Sequence, residues 1–398
     1  MDPRPPRLLL AGYFGFDNAG DEAIFESMVD QFRELAPDVQ LSALTHDSAG
    51  ARQLGVEPVP RKHLSSVWKA MRACDCFVLG GGGLFQDSTG RGSVIYYGGL
   101  LALAKAALRP SVVFCQGYGP VHSPLARWLT RQAFRLPALI TLRDEDSVDE
   151  VAALGLAREE IYLTADPALL MRPWPVDQMR PWLEAEGLLT EMGRCELPDG
   201  RLSEAGPLVA LTVRPWPGLS LEALAEALRG FRQSHKARYL LLPLQPERDL
   251  EPSRRLAELL DGEARVIERS LPPRALTGIL ACCDMVIGMR LHSLILATVE
   301  NPPLFGLSYD PKVERFCRRA GALSCRVEEI SPERLQREWE HLLVGRKNQR
   351  AVQKKSVETM RWQTEQAFRA TLAVAAGQSK RQVRDILSQQ PSQALGTP

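Results

Sequence analysis

The chain has no apolar run approaching the about 18 residues that a membrane-spanning helix needs. Its start, MDPRPPRLLLAGYF, has prolines where a signal peptide wants a helix, and the apolar run that follows is too short. A cytoplasmic protein is the expectation. The eight cysteines contain no CxxC pair. Cys74 and Cys76 share an apolar strand-like run and Cys282 and Cys283 are adjacent, a pattern of free buried thiols in a reducing compartment. The six histidines are scattered, so a His-based metal site is not expected. No GxSxG and no GKS or GKT occurs, which removes the nucleophile elbow and the Walker loop. No GxGxxG follows the first apolar run, and a nicotinamide enzyme is disfavoured. Charge of one sign is also missing: 49 Lys and Arg against 48 Asp and Glu leave a net charge of +1. Bulk electrostatics therefore gives no reason to expect a nucleic-acid partner, and any anion binding is local.

What is present is a long soluble composition. With 398 residues, 45% hydrophobic and 24% charged, the prior is about two domains. Short runs rich in Val, Ile, Leu and Phe recur at 7–12, 39–44, 76–80, 111–116, 138–142 and 161–163, and again at 208–213, 238–243, 265–267, 285–289 and 303–307. Helical patterns alternate with them, at 21–35, 93–108, 124–135 and 144–154 in the first half. In the second half they fall at 219–235, 252–260, 273–281, 291–300 and 311–320. Strands apolar on both faces, alternating with amphipathic helices, predict parallel sheets covered by helices. The fold class expected is α/β: two doubly wound Rossmann-like domains with an interdomain cleft. The boundaries are an N-terminal domain over 1–171, a proline-rich linker with a variable loop over 172–207, a C-terminal domain over 208–345, a basic C-terminal helix over 346–387 and a disordered tail over 388–398. The basic helix has two readings, a last helix packed across the domains or a peripheral contact with an anionic membrane surface.

Ligands in such sheets bind beyond the carboxyl ends of the strands, so the motifs there carry the chemistry. The first strand runs into GYFGFDNAGDEAIF, where Gly12, Gly15 and Gly20 permit close approach and Asn18 or Asp21 can cap a helix. A glycine-rich loop before a helix N-terminus attracts anions. VLGGGGLFQDST follows the third run: Gly82 and Gly83 leave room for a ligand, and Gln86, Asp87, Ser88 and Thr89 offer hydrogen bonds suited to a sugar. Gln116 in FCQGYGP is a further substrate-binding candidate. Arg143 ends the strand in ITLRDEDS, where it either offsets its acidic neighbours or takes a carboxylate or phosphate. In MVIGMRLHSLILA, Arg290 offers a bidentate fork and His292 a proton near neutral pH. Lys312 lies early in the helix after GLSYDP. Arg143 from one half and Arg290, His292 and Lys312 from the other are expected to converge on a small, strongly anionic substrate.

The runs GYFGFDNAGDEAI, VLGGGGLFQDSTGRGSVIYY, CQGYGP, ITLRDEDS, TADPAL, VRPW, GMRLHSLILA and SYDPKV, in this order over about residues 7 to 320, resemble the polysaccharide pyruvyl transferases. More narrowly they resemble the bacterial cell-surface-anchoring branch. The resemblance implies a fold like the two-Rossmann-domain glycosyltransferases, called GT-B. It implies transfer of a pyruvyl group from phosphoenolpyruvate, a co-substrate with no further cofactor, to a sugar, giving a ketal and phosphate. In that branch the acceptor is a lipid-diphosphate-linked saccharide carrying N-acetylmannosamine. The family's essential Arg, His and Lys match Arg143, His292 and Lys312, its donor-binding run matches Arg290 and Leu291, and Arg214 in VRPW is a further anion contact. A nucleotide-sugar glycosyltransferase of the same architecture is the alternative enzyme, but no clear ExxxxxE pair occurs in the second half. A non-catalytic binder of anionic glycans is the alternative outside enzymes.

Overall fold

The computed structural model describes residues 4–87, 92–185 and 206–389. Ser88 and Thr89, the variable loop expected within the linker, and the expected tail from residue 390 onward lie outside the described residues. Among the described residues thirteen strands form two sheets. The first holds β1 (Arg7–Ala11), β2 (Gln40–Thr45), β3 (Glu57–Pro60), β4 (Cys76–Gly80), β5 (Ser111–Gln116), β6 (Leu139–Leu142) and β7 (Ile161–Leu163), in the order β3-β2-β1-β4-β5-β6-β7. The second holds β8 (Leu208–Thr212), β9 (Arg238–Leu241), β10 (Ala264–Val266), β11 (Met285–Gly288), β12 (Leu304–Ser308) and β13 (Leu323–Arg326), in the order β10-β9-β8-β11-β12-β13. Every named pairing is parallel. This is the doubly wound order, twice, in an α/β protein of GT-B-like two-domain architecture.

Central strands such as CFVLG, LVALT and MVIG are buried at every residue because helices cover both faces of a parallel sheet. Two strands escape a pattern reading, and both are sheet edges. β3 is EPVP, whose prolines cannot complete a ladder on both sides and are tolerated only at an edge. β13, LSCR, is half polar for the same reason. Helices Ser48–Gln53, Leu64–Ala73 and Pro332–Val344 were likewise not anticipated. In each sheet the strand order reverses once beside the first strand, between β1 and β4 and between β8 and β11. These switch points open a crevice at the carboxyl ends.

The chain divides into two units, one of 1–16, 24–170 and 359–398, the other of 17–23 and 171–358. The first is centred on Phe77, Leu79, Phe85, Leu101 and Phe134, the second on Leu211, Ile287, Phe305 and Trp339. Residues 17–23, early in the sequence, thus count with the second unit, and they include the first turn of helix Ala19–Leu35. The basic C-terminal segment forms helix Arg346–Ala375 and, after Gly377 at φ 71°, a separate helix Lys380–Leu387. A positive-φ glycine is a common helix stop. Within the first unit Phe368 is fully buried, with ring centroids 4.8 Å from Phe32 and 4.7 Å from Phe114. Phe368→Ala should therefore cost about 3–5 kcal/mol, seen as an earlier urea transition. A loss below about 1 kcal/mol would show that this contact does not hold the C-terminal helix to the first unit.

Candidate active site

In the second unit β8, β11 and β12 are neighbours, and a cation follows each: Arg214 after β8, Arg290 after β11, Lys312 at the helix after β12. Arg290 is the N-cap of helix Leu291–Ala297. Its N–H donates to Thr212 Oγ1 at 3.2 Å, and that oxygen shares a 2.8 Å hydrogen bond with Ser293 Oγ. Its guanidinium grips Asp249, with Nε 2.9 Å from Oδ2 and Nη2 on Oδ1, while Nη2 also donates to Gln245 Oε1 at 3.4 Å. Asp249 is wholly buried and accepts the Gln245 N–H at 2.9 Å as well. A buried carboxylate without a partner would be strongly destabilising, so the pair fixes the guanidinium, and Nη1 is the nitrogen not spent on it.

His292 is the second residue of the same helix. A Cβ added at Gly20 would lie 2.1 Å from His292 Nδ1 and 2.4 Å from its Cγ. The imidazole therefore rests on the α-carbon of Gly20, and no side chain fits between them. Asn18 shapes that turn: its Oδ1 accepts the Gly20 N–H at 3.3 Å, its Nδ2 donates to Asp21 Oδ2 at 2.5 Å, and its carbonyl accepts the Glu22 N–H at 3.0 Å. The Ala19 N–H donates to the Leu244 carbonyl at 3.1 Å. The glycine loop thus answers a steric need of the histidine.

Lys312 and Arg214 share Tyr309. Arg214 Nη1 donates to Tyr309 OH at 2.9 Å, and its Cζ lies 4.7 Å from the Tyr309 ring and 5.6 Å from the Trp216 ring. Lys312 Nζ is 5.7 Å from the Tyr309 ring and 3.2 Å from Oδ2 of Asp310, the residue that caps its helix. Leu291, beside Arg290, is buried.

In the first unit three loops are knitted together. A bulge between Val113 and Gln116, with Cys115 at φ 49°, precedes Gln116. Bulges re-aim side chains, and here Gln116 turns toward the glycine loop. Its Nε2 donates to the Leu79 and Gly81 carbonyls at 3.3 and 3.0 Å, and its Oε1 accepts the Leu84 N–H at 3.4 Å. Its own carbonyl accepts the Arg143 N–H at 2.9 Å. Gln116 is 1% exposed, so it positions these loops and its side chain is spent on backbone. Arg143, largely buried, lies against Gly117, where a Cβ would be 2.6 Å from Nε. It pairs with buried Asp166 at 2.9 Å and lies 3.8 Å from Asp144, so it does offset acidic neighbours.

Gly15 (φ 80°) is set by packing, because a Cβ there would meet Asp47 N at 2.2 Å. Gly82 also has a positive φ, 76°, whereas a Cβ at Gly83 would meet nothing within 4 Å. Gln86 and Asp87 follow, half-buried. Asp87 accepts the His122 N–H at 2.9 Å and the Ser123 N–H at 2.7 Å, and these bonds hold its carboxyl below the usual carboxylate range. The described cysteines are free; burial pushes Cys74 up to about 11 and Cys317 up to about 12, which keeps these thiols protonated and unreactive. Among the described residues no group of His, Cys, Asp or Glu is placed to hold a metal ion. Sequence reasoning overlooked Asp249, Asp166, Trp216 and Tyr309. The first two could have been sought, since an arginine buried at a strand end calls for an acid.

Two doubly wound sheets with cations braced at the strand ends define an α/β protein of GT-B-like architecture. The family model for polysaccharide pyruvyl transferase matches residues 18–311, and the chain belongs to that family. Lys312 stands one residue beyond the matched range. No protein of curated function matches the sequence. Among solved structures, a candidate UDP-N-acetylglucosamine 2-epimerase from Listeria monocytogenes is similar with TM-score 0.64 at 14% identity, over 93% of this chain and 95% of that one. UDP-GlcNAc 2-epimerase from Neisseria meningitidis, bound to UDP-GlcNAc, gives TM-score 0.58 at 11% identity, over 93% and 100%. Anabaena HepE with UDP-glucose gives 0.58 at 10%, over 96% and 99%. At such identities the likeness is one of fold.

Replacing glycine by alanine inside a helix normally stabilises it by up to about 1 kcal/mol. Gly20→Ala is expected to do the opposite, lowering the unfolding temperature, and His292→Ala in the same chain should partly recover the loss. Additive effects in this double-mutant cycle would contradict the contact.

Proposed function

We propose that the protein transfers the pyruvyl group of phosphoenolpyruvate to a sugar of a cell-envelope glycan, forming a pyruvate ketal and releasing phosphate. The observation that carries this reading is the row of Arg214, Arg290 and Lys312 at the ends of the neighbouring strands β8, β11 and β12, with His292 beside Arg290. Phosphoenolpyruvate is a three-carbon frame bearing a carboxylate and a phosphate, and it needs several cations held at fixed spacing. Family membership supports the same chemistry.

In this reading one sugar hydroxyl adds to the carbon that bears the phosphate and passes its own proton to a phosphate oxygen, while a second proton goes to the methylene carbon and makes it a methyl group. The C–O bond to phosphate then breaks, and the electron pair leaves with the phosphate. A second hydroxyl closes the ring, and its proton leaves on a base or on the phosphate. His292 supplies the proton to the methylene carbon; general acid catalysis of this kind contributes about 10²–10⁴-fold. Lys312 and the Nη1 of Arg290 neutralise the leaving phosphate. Arg143, with Asp166 behind it, is an anion contact in the first unit. Gly82, Gly83, Gln86 and Asp87 receive the acceptor, for which the open space at Gly83 leaves room. The acceptor is N-acetylmannosamine on a lipid diphosphate, as in the cell-surface-anchoring branch, which places the reaction at the cytoplasmic face of the membrane. Among the described residues no helix is long and apolar enough to cross a membrane.

The test is mass spectrometry after incubation with phosphoenolpyruvate and a panel of lipid-linked and nucleotide-linked sugars. One acceptor should gain the mass of a pyruvate ketal with release of phosphate, and His292→Ala should lower turnover by about 10²-fold or more. Near-normal turnover in that variant would remove His292 as the acid. Glycosyl transfer from a nucleotide sugar, with phosphoenolpyruvate inert, would overturn the reading.

A further inference from the structure

A cavity of about 750 Å³ lies in the first unit, and none of the candidate site residues lines it. It opens at the amino ends of β6 and β7, lined by Ala138, Leu139 and Ile161, whereas Arg143 and the glycine loop stand at the carboxyl ends of the same sheet. Its volume is that of a small-molecule site. The floor is apolar, with Leu139, Ile140, Ile161, Val374 and Val383 all buried. The rim is cationic: Arg135, Lys380, Arg381 and Arg384 line it, against the single acid Glu160. Helix Lys380–Leu387, which brings three of these cations, is fixed at its start by the reciprocal bonds of Ser379 and Gln382. Arg384 is tied to the wall by a 3.4 Å hydrogen bond from Nε to Tyr162 OH.

We propose that this cavity binds a phosphate-bearing lipid, one molecule at a time. The headgroup phosphate sits among the four rim cations, where charge-assisted hydrogen bonds are strongest, and the first part of an acyl chain covers the apolar floor. A free inorganic anion would leave that floor wet, and an uncharged apolar molecule would leave the four rim cations with only Glu160 and its neighbour Glu159 as counter-charge. The inference does not depend on the ketal-forming reaction, whose residues lie at the other strand ends.

The experiment is calorimetric titration of the full chain with dihexanoyl phosphatidic acid below its micelle concentration, with inorganic phosphate and dihexanoyl phosphatidylcholine as separate arms. The phosphatidic acid should bind at least ten-fold more tightly than either. Ala157→Trp, which fills the cavity from an exposed lining position, should weaken that binding ten-fold or more, as should the pair Arg381→Glu and Arg384→Glu. Pyruvyl transfer to a water-soluble acceptor should be unchanged in these variants. Equal affinity for inorganic phosphate and the lipid would reduce the cavity to an anion site and overturn the proposal. Undiminished lipid binding by Ala157→Trp, or no binding by the wild type, would overturn it equally. If the arginine variant fails to fold, the Ala157→Trp arm decides alone.

Discussion

A cation at the end of a buried strand is useful to a ligand only if something holds it still, and here buried carboxylates do so. Asp249 grips Arg290 through two nitrogens, and Asp166 holds Arg143. Removing Asp249 would leave the Arg290 guanidinium without an acidic partner, which typically costs several kcal/mol, whereas Arg143 would keep Asp144 at 3.8 Å. The consequence for a ligand is preorganisation: the guanidinium does not have to lose rotamer freedom when an anion arrives. Lys312 and Arg214 are held differently, by Asp310 and by the faces of Tyr309 and Trp216, and Lys312 keeps more solvent contact than Arg290. Within one unit the anchored cation and the looser ones therefore stand on adjacent strands.

The second constraint is steric. Gly20 and His292 are far apart in sequence, yet the imidazole occupies the space a Cβ at Gly20 would need. In the first sheet Gln116 plays the corresponding role through hydrogen bonds, since its side chain and carbonyl reach β4, the glycine loop and Arg143 together. Both devices sit at carboxyl ends next to a switch point, where a doubly wound sheet leaves its crevice. The loops look permissive in sequence because of their glycines, but most of those glycines answer a close neighbour. Gly83, by contrast, faces open space.

Much of the fold was legible because parallel strands are apolar on both faces. β4, β5 and β7 fall on the expected residues, and the other predicted strands fall within a residue or two. Edge strands were not legible: β3 carries two prolines and β13 a serine and an arginine, and neither reads as a buried strand. Of the site, the cations and His292 were visible because charged residues directly after an apolar run stand out. Their partners were not. Asp249 lies inside a strongly polar helix, PERDLEPSRRLAEL, where nothing in the local pattern marks one acid as buried. Gln116, a substrate-binding candidate, braces backbone through a bulge that no residue pattern reveals.

The account stands on the claim that the row of cations at β8, β11 and β12 holds phosphoenolpyruvate. The most direct measurement is a crystal structure of the protein soaked with phosphoenolpyruvate. The expected result places the phosphate and carboxylate within hydrogen-bond distance of Lys312 Nζ and Arg290 Nη1, with the methylene carbon facing His292. Phosphoenolpyruvate absent from these strand ends at saturating concentration, or bound only elsewhere on the molecule, would contradict it.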